Sequence, residues 1–301
     1  MRTTSVGNSG LVVSVVGLGC NNFGRRLDQD GTTAVVQAAL DAGITIFDTA
    51  EMYGDGESER QLGKALGARR GEVVVATKFG WELKTNPAGG SAANVRRAVE
   101  GSLERLGTDY IDLYQYHRPD DVTPVEETLG ALDELVRAGK VRHIGSSNFS
   151  GAQVREADEI SQTRGFARFI SAQNEYSWLE REVEGELVPV LEELGIGLIP
   201  YFPLANGLLT GKHRRGAAAP GTRLAGNLPD DDATWERVEA LQSFAAARGL
   251  TLLDVAIGGL AAMPSVSSVI AGATKPEQVR ANAAAGEWVP SADELAELRG
   301  L

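Results

Sequence analysis

Residues 44–64 read Ile44-Thr45-Ile46-Phe47-Asp48-Thr49-Ala50-Glu51-Met52-Tyr53-Gly54-Asp55-Gly56-Glu57-Ser58-Glu59-Arg60-Gln61-Leu62-Gly63-Lys64. An apolar run, Ile44 to Phe47, stops abruptly at a carboxylate, Asp48. A phenol, Tyr53, follows inside a Gly-rich turn, and Glu57 to Lys64 opens a helix. A buried strand thus delivers an acid and a Tyr to a loop, and a helix returns the chain.

The same rhythm runs outward in both directions. Apolar, strand-length runs occupy 15–19, 44–47, 73–77, 111–116, 143–146, 169–173, 198–201 and 269–271. Helical spacing of apolar residues fills 32–42, 93–106, 125–138, 184–194 and 235–247 between them. Near-continuous apolar strands alternating with helices predict parallel β-structure covered on both faces. Eight strands point to a closed (β/α)8 TIM barrel of the α/β class. An open dinucleotide-binding sheet predicts an early G-x-G-x-x-G, which Gly17-Leu18-Gly19-Cys20-Asn21-Asn22 does not complete. Residues 3–14 alternate around Gly7-Asn8-Ser9-Gly10 and predict a β-hairpin. With no composition break, residues 1–301 read as a single domain. The exception to the rhythm is 203–232, a loop without regular structure after the seventh strand, on the face where barrels carry their sites. Its 216–221 part reads as a surface insertion.

The net charge of -12 argues against a nucleic-acid partner, since phosphate neutralisation needs a basic surface. A single cysteine, Cys20, rules out an internal disulfide or a Cys-based metal cluster, and no metal site is expected. No apolar run approaches the roughly 20 residues of a membrane span, and the N-terminus lacks a signal-peptide core. A cytoplasmic protein is the expectation.

Polar residues at the C-terminal ends of barrel strands read as functional. Here they are Asp48 after the second strand, with Tyr53 on its loop, Lys78 after the third and His117 after the fourth. Each alone has a plainer reading: a turn cap, a packed ring, a surface ammonium, a structural imidazole. Together they compose a proton donor. A phenol with a pKa near 10 is a weak acid at neutral pH. A nearby ammonium is expected to lower that pKa, and a carboxylate to hold the ammonium. His117 would hydrogen-bond the oxygen that receives the proton.

These residues carry a resemblance to the aldo-keto reductase family over almost the whole chain. Asp48-Thr49-Ala50-Glu51-Met52-Tyr53-Gly54-Asp55-Gly56-Glu57-Ser58-Glu59 is similar to that family's signature D-T-A-x-x-Y-G-x-G-x-S-E. Thr77-Lys78, Asp112-Leu113-Tyr114 through His117, Gly145-Ser146-Ser147-Asn148-Phe149, Gln173-Asn174-Glu175-Tyr176 and Tyr201-Phe202-Pro203-Leu204 follow in the family's order. The resemblance implies a catalytic tetrad of Asp48, Tyr53, Lys78 and His117, with Tyr53 the general acid. It also implies a hairpin closing the barrel bottom and an NAD(P)H-dependent reduction of aldehydes or ketones.

It further implies a nicotinamide cofactor laid across the barrel mouth, NADPH with NADH as the alternative. Ser147, Asn148 and Gln173 would hydrogen-bond the carboxamide, and Tyr201 would stack on the ring. Gly19, Cys20, Asn21 and Asp48 would lie alongside. Pro203, Leu204, Gly207, Leu208 and Lys212 would line the pyrophosphate path, with His213 and Arg215 still readable as a solvated basic cluster. Gly272, Thr274, Lys275, Gln278 and Asn282 would take the adenosine phosphate end. Thr274 with Glu277 reads as a capping box with Pro276 just inside a helix, leaving free N–H groups for an anion. Many relatives carry Lys, Ser and Arg where this chain has Gly272, Ala273 and Gln278. Lys275 or Thr274 is therefore the candidate for the 2′-phosphate. Cys20, where Thr is frequent, reads as a small packed residue, and Phe202 stands where Ser is common. Asn22, Met52, Tyr53, Trp81 and His117, with Trp178, are the candidate substrate walls. The resemblance leaves a second class open, a cofactor-sensing regulatory subunit of a membrane channel. Such relatives usually carry an extra N-terminal segment, whereas this chain begins just before its hairpin, so catalysis is the expected reading.

Overall fold

The computed structural model describes residues 1–81, 89–120, 122–222 and 224–301. A hairpin of β1 (Thr3–Ser5) and β2 (Val12–Ser14) opens the chain. Eight parallel strands follow: β3 (Val16–Gly19), β4 (Ile46–Asp48), β5 (Val74–Phe79), β6 (Ile111–Tyr116), β7 (Val141–Ser147), β8 (Phe169–Gln173), β9 (Gly197–Leu198) and β10 (Val269–Gly272). They pair in the order β10-β3-β4-β5-β6-β7-β8-β9. The ring is drawn together by a parallel bridge from Leu198 to Val266 and by the Ile270 N–H donating to the Pro200 carbonyl. This is the (β/α)8 arrangement. The expected seventh run, 198–201, forms only a two-residue ladder, because Pro200 has no N–H to donate.

Helices α1 (Gln29–Asp41), α2 (Glu57–Leu66), α3 (Ala92–Leu106), α4 (Val125–Arg137), α5 (Gly151–Arg164) and α6 (Leu187–Leu194) cover the outside. They are followed by α7 (Asp232–Ala246), α8 (Leu252–Asp254), α9 (Pro276–Ala285) and α10 (Ala292–Gly300). Their apolar stripes bury Val35, Val36, Leu62, Val99, Leu103, Leu129, Leu132 and Leu191 against the strands. The helix expected from 184 begins later, at Leu187, with a 3-10 turn at Glu182–Glu184 before it. The helix expected from 235 begins earlier, where the Asp231 carboxylate accepts from the Thr234 N–H as N-cap. The segment 203–232 is not structureless: Ala205–Thr210 forms a kinked 3-10 helix. Arg223 lies outside the described residues.

The hairpin closes one end. Val6 and Val13 are fully buried and pack inside the ring with Ile46, Val74, Ala76, Leu113, Ile199 and Ile270. At Gly7 the backbone has φ +51°, and a Cβ would stand 2.3 Å from the Gly195 carbonyl oxygen, so only glycine fits. With the N-terminal ends of the strands sealed, the open mouth is the C-terminal one. No helix among the described residues is long and apolar enough to cross a membrane.

Candidate active site

Asp48 is the last residue of β4 and Lys78 the fifth of β5, adjacent strands in register. Both side chains are buried, Lys78 completely. The Lys78 Nζ donates to Asp48 Oδ2 at 2.6 Å and to the Thr49 carbonyl at 2.9 Å. The ammonium stands 5.2 Å from the Tyr53 ring centroid, close enough for its charge to act on the phenol. His117 follows β6, and its ring meets that of Tyr53 edge-on at 6.0 Å. Asp48, Lys78, Tyr53 and His117 are therefore brought together at the mouth.

Burial works to discharge Lys78, but the Asp48 carboxylate and the Tyr53 contact outweigh it and raise the lysine pKa. Burial holds His117 far below the usual imidazole range, and the Lys78 charge adds to this, so the ring is neutral at pH 7. Its Nδ1 is buried with no partner among the described residues. The expected lowering of the Tyr53 pKa is not found. Burial raises it, Lys78 lowers it, and Asp48, which neutralises Lys78, raises it again. The phenol stays protonated at neutral pH.

Asp48 is held from three sides. Besides Lys78, Gln173 Nε2 donates to its Oδ1 at 2.8 Å and Gln115 Nε2 at 3.3 Å. Gln115 was not anticipated, although it lies two residues before His117 and the period of two puts both on one face of the strand. Helix α2 supports this loop. The Ser58 hydroxyl donates to the Cys20 carbonyl and lies 2.8 Å from Thr49 Oγ1, while Glu59 accepts from Thr77 Oγ1 and Arg105 Nε, both at 2.6 Å. The Cys20 thiol is fully buried and its pKa is pushed up by that burial, as suits a packed residue.

The other predicted residues divide into those at the mouth and those elsewhere. At the end of β7, Ser147 Oγ donates to the Gln173 carbonyl. Asn148, at φ +59°, donates to the His117 carbonyl and accepts from the Tyr201 hydroxyl at 2.9 Å. Tyr201 is half-buried. Trp81 lies 4.9 Å from the His117 ring, and the exposed Arg118 guanidinium is 5.7 Å from the Trp81 ring. Met52 is half-buried in the Tyr53 loop. Asn22 bridges the loops after β3 and β10, its Nδ2 donating to the Ala273 carbonyl, with Gly19, Asn21 and Gly272 beside it. Pro203, Leu204, Gly207, Leu208 and the exposed Lys212 sit on the loop after β9.

Three expectations are corrected. Trp178 lines no mouth: it is buried in the helix layer with Nε1 donating to the Val255 carbonyl. His213 is 2% exposed rather than solvated, its Nδ1 accepting from the Ala219 N–H, and Arg215 pairs with Asp232 and Glu239. The Thr274–Glu277 capping box does not form. Helix α9 starts one residue later, with Lys275 as N-cap and Pro276 at N1. Gln278, now at N3, folds back so that its Oε1 accepts from the Thr274 N–H at 2.7 Å. Asn282 is buried one turn on.

An eight-stranded ring with a buried Lys–Asp pair, a phenol and a neutral imidazole at its mouth defines a barrel oxidoreductase, and the chain belongs to the Aldo/keto reductase family, whose model matches residues 15–301. Among individual relatives, a probable voltage-gated potassium channel subunit beta of Oryza sativa subsp. japonica is 38% identical over 303 residues, covering 96% of this chain and 92% of the relative. The uncharacterized oxidoreductase YrpG of Bacillus subtilis (strain 168) is 38% identical over 294 residues, 93% of this chain and 89% of its own. Aldo-keto reductase YhdN of the same organism is 34% identical over 315 residues, 100% of this chain and 93% of its own.

Proposed function

We propose that the chain is an NADPH-dependent reductase of aldehydes or ketones, acting on small molecules in the cytoplasm. The observation that carries this reading is the buried Lys78–Asp48 pair with its ammonium 5.2 Å from the Tyr53 ring centroid, beside a neutral His117. A buried ammonium held by one carboxylate is costly to assemble and has little structural use at an open barrel end.

The residues at the mouth suit a nicotinamide cofactor. A Cβ at Gly207 would meet nothing within 4 Å, and at Gly272 nothing nearer than 3.5 Å, so the backbone there leaves room for a ligand. The half-buried Tyr201 ring and the amides of Asn148 and Gln173 would hold the nicotinamide, and the exposed Lys275 with Thr274 would meet the 2′-phosphate. Reduced nicotinamide supplies the hydride when bound. The Tyr53 hydroxyl donates its proton to the carbonyl oxygen, and the Lys78 ammonium stabilises the phenolate that remains. Asp48 keeps Lys78 charged and in place. His117, neutral, offers a hydrogen bond to the same oxygen without competing as an acid.

Folded Tyr53→Phe protein should lose reductase activity by about three orders of magnitude or more, followed as NADPH oxidation with a panel of aldehydes, ketones and keto sugars. Full activity in that variant would sink the role of Tyr53. Competition between NADPH and NADH, read as kcat/KM in wild type and Lys275→Ala, decides the cofactor: equal use of both by the wild type would overturn the preference.

The rice relative and a similar one from Arabidopsis thaliana, 36% identical, are named as probable channel subunits, which favours a second reading. On that reading the chain binds NADPH and senses its redox state with slow turnover. Single-turnover hydride transfer much slower than cofactor exchange would favour it over catalysis.

A further inference from the structure

Glu51 stands between Asp48 and Tyr53 in the loop after β4 and takes no part in the proton-donor group. It is 1% exposed. Its N–H donates to the Lys78 carbonyl at 3.1 Å, and its Oε1 accepts from the Gly80 N–H at 3.0 Å. One residue therefore brackets Lys78-Phe79-Gly80 from both sides, through its backbone and through its side chain. Gly80 leads directly into Trp81, whose ring covers His117. Gly80 has φ +89°, and a Cβ there would stand 2.7 Å from the Tyr116 ring, so this turn has one backbone path. The second carboxyl oxygen, Oε2, is buried with no hydrogen-bond partner among the described residues.

A structural carboxylate ordinarily satisfies both oxygens. Glu51 holds one N–H and leaves the other oxygen dry. The charged groups that face it are Glu59 on α2 and Arg105 and Arg97 on α3, with the Tyr114 hydroxyl of β6 also buried and without a hydrogen-bond partner. Glu59 is already engaged by Arg105 and Thr77, so burial dominates and pushes the Glu51 pKa up to about 7.

We propose that Glu51 is a positioning residue whose carboxyl ties the segment bearing Tyr53 to the Gly80–Trp81 segment, and that its protonation state sets the strength of this tie. Ionised, it accepts a charge-assisted hydrogen bond from Gly80; protonated, a weaker one. The consequence for turnover rests on the reductase reading; the tie itself does not.

The test has two arms on the intact protein. In the first, the ¹⁵N-labelled Gly80 amide is followed by NMR from acid to alkaline pH. Its shift should titrate with a midpoint near 7 in wild type and show no such step in Glu51→Gln. An amide that does not titrate, or titrates alike in both proteins, overturns the tie. In the second, kcat for carbonyl reduction is measured against pH. Glu51→Ala should lower kcat about tenfold with little change in the KM for NADPH, Glu51→Gln should restore most of it, and only wild type should show an inflection near 7. An unchanged kcat in Glu51→Ala overturns the positioning role. If Glu51→Ala does not fold, the isosteric Glu51→Gln carries the test through its pH profile. A wild-type protein that reduces no carbonyl but whose Gly80 step vanishes in Glu51→Gln fails the reductase reading while upholding the tie.

Discussion

At the scale of single residues, the buried Lys78–Asp48 pair sets the energetics of the site. Removing one partner strands a charge out of water, so Lys78→Met should cost about 3–5 kcal/mol in urea unfolding as well as activity. The double variant Lys78→Met with Asp48→Leu should recover part of that stability and none of the activity. A pair that was merely structural would recover activity along with stability. His117 gives a pH prediction. Its folded pKa lies well below the usual imidazole value, so its contribution to stability is full above about pH 6.5 and is lost as pH falls through the folded value. The stability difference between wild type and His117→Gln should therefore be flat above neutrality and shrink on acidification.

At the scale of elements, the loop after β4 and helix α2 act as one support. Gly63 of α2 packs so tightly on α3 that a Cβ would lie 2.2 Å from the Leu106 carbonyl oxygen. Gly63→Ala must push the helices apart and should cost about 1–3 kcal/mol in chemical denaturation. Glu51 belongs to the same scale, because it joins two loops. Its pKa rises from 4.5 to about 7 on folding, so its contribution favours the fold below 4.5 and is lost as pH rises through 7. Glu51→Gln escapes that loss and should gain roughly 2 kcal/mol on wild type between pH 5 and pH 8.

At the scale of the whole molecule, the two ends of the barrel have separate duties. The hairpin fills the sealed end through Val6 and Val13, on the opposite side of the ring from Tyr53. Val13→Ala should lower stability by about 1–3 kcal/mol while the carbonyl reduction proposed for the mouth keeps its kcat. A change in kcat without a loss of stability would show that the ends are coupled.

Much of this was legible in the chain before folding. The apolar runs marked eight strands because each is buried on both sides and needs no polar alternation, and the polar residues following the second, third and fourth runs marked the mouth. Asp48, Lys78 and His117 were readable for that reason, and Tyr53 from its place in the adjoining turn. The side chains that hold these groups were not readable in the same way. Gln115 sits inside a buried strand, Glu51 inside a loop, and each acts on a group 29 or more residues away along the chain. The Gln278–Thr274 hydrogen bond formed in place of the expected Thr274–Glu277 box, with the helix start one residue later and Pro276 at N1. Local pattern determined the elements and the residue types at their ends, because burial and backbone geometry act within a few residues. Only the tertiary structure decided the charge states: burial, and the neutralisation of Lys78 by Asp48, left Tyr53 a protonated phenol rather than the more acidic one the residues alone suggested.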